Sequence, residues 1–93
     1  MLLTPTLALA WDDAPALEAL TLTALGDLLA LDPLPEFLLL GTGASMRRPP
    51  RAFVADLEAR GIGVEAMDSR AAARAWGVLR AEERWIVAAL LPL

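Results

Sequence analysis

The 93-residue chain contains no cysteine, no histidine, no lysine and no tyrosine. Zero cysteine excludes disulfides, thiolate metal sites and thiol catalysis together. Zero histidine removes the commonest general base and the commonest metal ligand. Without lysine there is no Schiff base and no P-loop lysine, and without tyrosine no phenolic acid. Few enzymes can be built from what remains, and neither cofactor nor metal is expected. Long hydrophobic runs are missing as well: Trp85–Leu93 is about half of the roughly 18 to 20 residues that a membrane-spanning helix needs, and it contains Pro92. The apolar start, Met1 to Trp11, lacks the basic segment and the length of a secretory signal, so a cytoplasmic location is expected.

What is present is apolar. Hydrophobic residues make up 57% of the chain and the mean hydropathy is +0.52, above the usual content of about 45–50%. Either a sheet is buried on both faces or apolar surface meets a partner, and both are expected, the partner being a second copy or another protein. The length predicts one domain, residues 1–93. A net charge of −4 and a pI near 4.6 argue against nucleic acid as the main partner. All 8 cations are arginine, which with abundant alanine fits the codon bias of a GC-rich bacterial genome.

The pattern centres on Glu36-Phe37-Leu38-Leu39-Leu40-Gly41-Thr42-Gly43. Phe37 to Leu40 is apolar on both faces, which predicts a strand covered on two sides. Upstream, Leu7, Leu9 and Trp11 alternate as a short strand with its bulky face inward, ended by Asp12-Asp13-Ala14-Pro15. Leu22, Leu25, Leu28 and Leu29 predict a helix over Thr21 to Leu31 with Thr21 as N-cap and Asp32-Pro33 as stop; Gly26 inside it costs about 1 kcal/mol relative to alanine. Downstream, Pro49-Pro50 suits the first turn of a second helix. That helix carries Phe53, Val54 and Leu57 on its buried stripe and Arg51, Asp56, Glu58 and Arg60 on its wet face, and Gly61 stops it. Ile62 to Ala66 reads as a strand. Asp68-Ser69 are N-cap candidates for a third helix with Ala72, Ala73, Trp76 and Leu79 on one stripe. The charged turn Arg80 to Arg84 then leads to a last strand, Trp85 to Leu91, which Pro92 ends. Strand, helix, strand, helix, strand predicts an α/β sheet layered between helices.

Taken in order, these segments resemble the Mth938-like (DUF498) family, which includes the mitochondrial complex I assembly factor NDUFAF3. The likeness rests on Pro35 to Gly43, Gly61-Ile62, Val64-Glu65 and Met67-Asp68-Ser69, then on Ala72, Arg74, Leu79, Glu82 and Arg84, and on Val87 to Leu90, with Trp11 upstream. It implies a three-layer α/β fold with a mixed central sheet flanked by helices and a short β segment near the N-terminus. Beginning close to Trp11, the chain is expected to lack part of that segment. For function it implies an assembly-factor-like interaction module. The family's usual Met-Asp-Thr is Met67-Asp68-Ser69 here, and Cys-Arg-Thr-Tyr-Asn is Ala73-Arg74-Ala75-Trp76-Gly77. Polar recognition or catalysis through that stretch in relatives would be lost or altered in this chain.

Several residues are candidates for chemistry. Gly41-Thr42-Gly43 at a strand end invites a dinucleotide reading, but Met46 stands where G-x-G-x-x-G needs its third glycine, so a tight turn out of the sheet is the better reading. Arg47, Arg48 and Arg51, with Ser45 and that turn, form a candidate pocket for a small anionic ligand at the second helix's N-terminus, or else a solvated loop. Asp68 and Ser69 fit an acid/base and a nucleophile, yet a serine with no histidine or lysine to take its proton is a poor one, and capping explains them better. Arg74, Glu82 and Arg84 are expected to tie the third helix to the last strand. Glu36 is a candidate perturbed carboxylate at the sheet edge. Trp76 and Trp85 read as core, with Trp85 an interface anchor if exposed. Two functions follow: a non-enzymatic interaction module, or a binder of a small anion at Gly41 to Arg51, possibly an enzyme.

Overall fold

The computed structural model describes residues 1–93, the side chain of Asp27 apart. The strands are β1 (Leu2–Leu3), β2 (Ala8–Leu9), β3 (Phe37–Gly41), β4 (Gly63–Met67) and β5 (Val87–Leu90), and the helices α1 (Arg51–Glu58) and α2 (Ser69–Ala81). They form one five-stranded sheet in the order β2-β1-β5-β3-β4. β3 runs parallel to β4 and β5, while β1 pairs antiparallel with β5 and with β2, so the sheet is mixed.

Alternation along β3 sorts the two cores. Leu38 and Leu40 face the layer of α1 and the 3-10 segments Leu17–Ala19 and Leu22–Ala30, packing with Phe53, Leu57, Ile62, Leu25 and Leu28. Leu39 faces the α2 layer with Leu3, Ile86 and Ala88. All three leucines are buried, as a strand covered on both faces requires. The α1 stripe falls as its spacing predicts, with Phe53 and Leu57 buried and Arg51, Asp56, Glu58 and Arg60 exposed. On α2, Ala72 is buried against the sheet, but Ala73, counted on the same stripe, is exposed.

Three segments differ from their sequence patterns. The N-terminal strand is two hydrogen-bonded pieces, because Pro5 and Thr6 sit in a turn that folds β2 back on β1. Thr4 donates its N–H to the Leu7 carbonyl at 2.9 Å, and its Oγ1 accepts the Leu7 N–H at 2.9 Å. Leu7 therefore ends a turn and is 58% exposed, while Trp11 is buried and its indole N–H donates to the Ala24 carbonyl. Residues Leu22–Ala30 form a 3-10 segment broken at Gly26, whose φ of 45° and ψ of −110° lie outside any right-handed helix. Thr21 makes no side-chain cap bond there. The tighter 3-10 winding still buries Leu25 and Leu28. Finally, β4 begins one residue later than the apolar pattern, at Gly63, and β5 spans Val87–Leu90, because Ile62 and Ile86 fill the core just outside the ladders.

The amino group of Met1 lies against β5, donating to the Leu90 carbonyl at 2.8 Å, and partial burial lowers this ammonium below its ordinary pKa of 8.0.

Candidate functional site

Gly41-Thr42-Gly43 leaves the end of β3 where the first residue of α2 and the end of β5 converge. Thr42 donates its N–H to the Met67 carbonyl at 2.8 Å, and Gly43 donates its N–H to Ser69 Oγ at 2.9 Å. Ser69 Oγ in turn donates to the Leu91 carbonyl at 2.7 Å, and the Ser69 N–H donates to the Gly43 carbonyl at 2.8 Å. Leu91 closes the ring by donating its N–H to the Gly41 carbonyl at 2.9 Å. Ser69, only 6% exposed, thus links three segments through one hydroxyl.

Thr42 organises the loop beyond. Its Oγ1 faces the Ser45 carbonyl at 2.7 Å and the Met67 carbonyl at 3.2 Å, and it accepts the Arg47 N–H at 3.1 Å. The Thr42 and Gly43 amides, the donors a pyrophosphate would need, are therefore engaged within the protein. Gly41 is closely packed: a Cβ there would lie 2.7 Å from Ser69 Oγ and 2.9 Å from Ser69 Cα. Among the described residues every buried side-chain nitrogen and oxygen has a hydrogen-bond partner.

The arginines spread out. Arg47 pairs with Glu18 at 3.0 Å and borders a cleft of about 290 Å³ with Thr42, Leu17 and Pro92. Ser45, Arg48 and Arg51 are exposed. The structure thus brings Arg47 to Thr42, through its backbone N–H, and leaves the side chains of Arg47, Arg48 and Arg51 all exposed.

Asp68 and Ser69, adjacent in sequence, do different work. Asp68 is the N-cap of α2, its Oδ1 accepting the Ala71 N–H at 2.9 Å. Asp68→Ala is expected to cost about 1 kcal/mol, the usual worth of such a cap; equilibrium urea unfolding reads it, and an unchanged midpoint would count against the cap. Ser69 is a tie rather than a cap.

Arg84 bonds to Glu36, not to Glu82: its Nε and Nη2 reach Glu36 Oε2 at 3.3 and 3.2 Å, and its guanidinium lies 5.3 Å from the Phe37 ring centroid. The pair therefore ties the turn after α2 to the start of β3. Glu82 is exposed at the C-cap of α2, and Arg74 is exposed and in no ion pair among the described residues. Trp76 is half-buried in the α2 core, with the Arg80 guanidinium 5.9 Å from its ring centroid. Trp85 is half-buried too, its indole N–H donating to the Pro33 carbonyl at 2.8 Å.

One feature is not visible in the sequence pattern. On the α2 face of the sheet a cleft of about 500 Å³ opens beside the helix, floored by Phe37, Leu39 and Met67, walled by Ala75 and Leu79, and bordered by Glu65 and Arg84. It exists because β4 places Gly63, a residue without a side chain, beside Phe37, and because α2 covers only part of this face. The signal lies in the run Gly63-Val64-Glu65, but which side it faces depends on the sheet order.

Among the described residues no three acidic side chains converge as metal ligands would, and no helix is long and apolar enough to cross a membrane.

Comparison with known proteins agrees with this architecture. Residues 1–91 match the family described as a protein of unknown function (DUF498/DUF598). The chain is 40% identical over 78 residues to an uncharacterized protein of Rhodobacter capsulatus, covering 81% of this chain and 63% of that one. It is 40% identical over 62 residues to the zebrafish (Danio rerio) NADH dehydrogenase [ubiquinone] 1 alpha subcomplex assembly factor 3, covering 67% of this chain and 36% of that one. The chain thus spans less than two thirds of either relative. A solution structure from Bordetella pertussis, a Mth938-like domain, superposes with a TM-score of 0.62 at 39% identity, over 76% of this chain and 57% of that one. A mixed sheet with α2 on one face and α1 with the 3-10 segments on the other, matched by sequence over nearly its whole length, makes this chain a member of the Mth938-like (DUF498) family.

Proposed function

We propose that this chain is a non-enzymatic, cytoplasmic protein-binding module that holds a partner during assembly of a larger complex. The observation that carries this reading is the half-covered α2 face: Phe37, Met67, Ala75 and Leu79 are only partly buried around a cleft of about 500 Å³, an apolar surface that another protein would cover. The polar candidates support it from the other side. Asp68 is engaged in capping, and the Ser69 hydroxyl donates its hydrogen bond to a backbone carbonyl rather than to a side-chain base. The name of the zebrafish relative gives that protein a place in assembling a respiratory complex, and we extend the same kind of work to this chain.

Native mass spectrometry of the untagged protein from its own cells, run beside an Arg47→Ala, Arg48→Ala double variant, tests the reading. The expected result is a stoichiometric complex with another protein, free of small-molecule mass and unchanged in the variant. A bound small anion that the variant loses would overturn it in favour of a ligand site at Gly41 to Arg51.

A further inference from the structure

The strand order leaves β4 at an edge of the sheet. In a parallel ladder alternate residues turn their backbone groups toward the neighbour. Gly63 donates its N–H to Glu36 and Met67 accepts from Thr42, so Gly63, Glu65 and Met67 are the residues bonded to β3. Val64 and Ala66 therefore present their N–H and C=O groups outward, where a further strand could take them. Such an edge is a template for an added strand.

Glu65 decides what can be added. It is exposed, belongs to no ion pair among the described residues, and borders the cleft. A second copy pairing antiparallel through Val64 and Ala66 would set Glu65 directly opposite its own counterpart, and like charges at that position are unfavourable. Shifting the register to avoid this loses ladder bonds either way, since the Ile62 N–H is already given to the Leu57 carbonyl and the Asp68 carbonyl already accepts the Ala72 N–H. A cation opposite Glu65 has neither problem. Two residues along on the same face, the incoming strand meets Gly63, where the missing side chain leaves the Phe37 side of the cleft open.

Resting on the reading of the chain as an interaction module, we infer that the open edge of β4 receives an extended segment of another protein, antiparallel, with arginine or lysine opposite Glu65 and a bulky apolar residue opposite Gly63. The partner extends the sheet and fills the cleft in one step.

The probes are two synthetic seven-residue peptides of alternating apolar and threonine residues that differ only in carrying arginine or glutamate at the centre. They are titrated into the 93-residue chain, with amide chemical shifts and hydrogen exchange followed by NMR. The arginine peptide is expected to bind about fivefold more tightly, the scale of one cross-strand charge pair, and to slow exchange at Val64 and Ala66. Glu65→Arg, an exposed change that leaves the fold alone, is expected to reverse the preference. Ala66→Pro removes one outward N–H without touching the β3 ladder and is expected to abolish binding. Equal affinity for both peptides, unaltered exchange at Val64 and Ala66 with peptide bound, or self-association that protects those two amides would each overturn the proposal. If a natural partner co-purifies while these two amides exchange freely, the interaction module stands and the strand edge falls. If the arginine peptide binds at β4 and no protein co-purifies, the reverse holds.

Discussion

Ser69→Ala is expected to lower the stability of the fold by about 2–4 kcal/mol, because it strands two buried backbone groups at once and each such group costs about 1–3 kcal/mol. The Ser69 hydroxyl receives the Gly43 N–H at 2.9 Å and gives its own proton to the Leu91 carbonyl at 2.7 Å, in a site where Ser69 is nearly inaccessible. Alanine keeps the volume of the methylene and removes both bonds. For a domain of this size, with a total stability of about 5–15 kcal/mol, the loss is a large fraction. Urea unfolding should show the midpoint falling with the slope unchanged, the pattern of a destabilised native state rather than an altered unfolded one. A midpoint within error of the parent would mean that the hydroxyl is not the tie described.

Gly41→Ala is expected to cost about 1–3 kcal/mol by overpacking. The added Cβ would fall 2.7 Å from Ser69 Oγ and 2.9 Å from both Leu90 Cδ2 and Ser69 Cα. A leucine tip can turn away, and a hydroxyl can rotate at the expense of its bonds. The Ser69 Cα is backbone, and moving it shifts the first turn of α2. The two substitutions should therefore be less than additive when combined, since the shift caused by Gly41→Ala already weakens the bonds that Ser69→Ala removes. Calorimetric or urea measurements on the single and double variants close this cycle. Full additivity would indicate that α2 does not move, and a Gly41→Ala variant as stable as the parent would show that the strand end is looser than its contacts imply.

The two substitutions bear on how much of the molecule can be read in one dimension. β3, α1 and the cap of α2 were legible, because an all-apolar run, a stripe at three- and four-residue spacing and an aspartate before a helix are local signals with local causes. The Leu22–Ala30 segment was legible only as burial: its leucines reach the core, but Gly26 ends the winding that would have made an α-helix. Ser69 looked like a second capping residue because its bonds lie 26 and 22 residues away, at Gly43 and Leu91. Arg84 reads as a tie between the third helix and the last strand because it lies between them in the chain, whereas its partner Glu36, just before β3, is 48 residues distant. The open edge at β4 was not legible at all. Nothing in Gly63–Met67 states that a strand lies on one side only, since that follows from where β5 inserts.

The place of β5 has a consequence for how the molecule comes into being. It is the last of the five strands to be synthesised, yet it lies in the middle of the sheet, hydrogen-bonded to β1 on one side and β3 on the other. Without Val87 to Leu90, the two strand pairs, β1 with β2 and β3 with β4, share no ladder. β5 splices them. These four residues alone join the two halves in one ladder, and a chain without them would leave both flanks of the missing strand open.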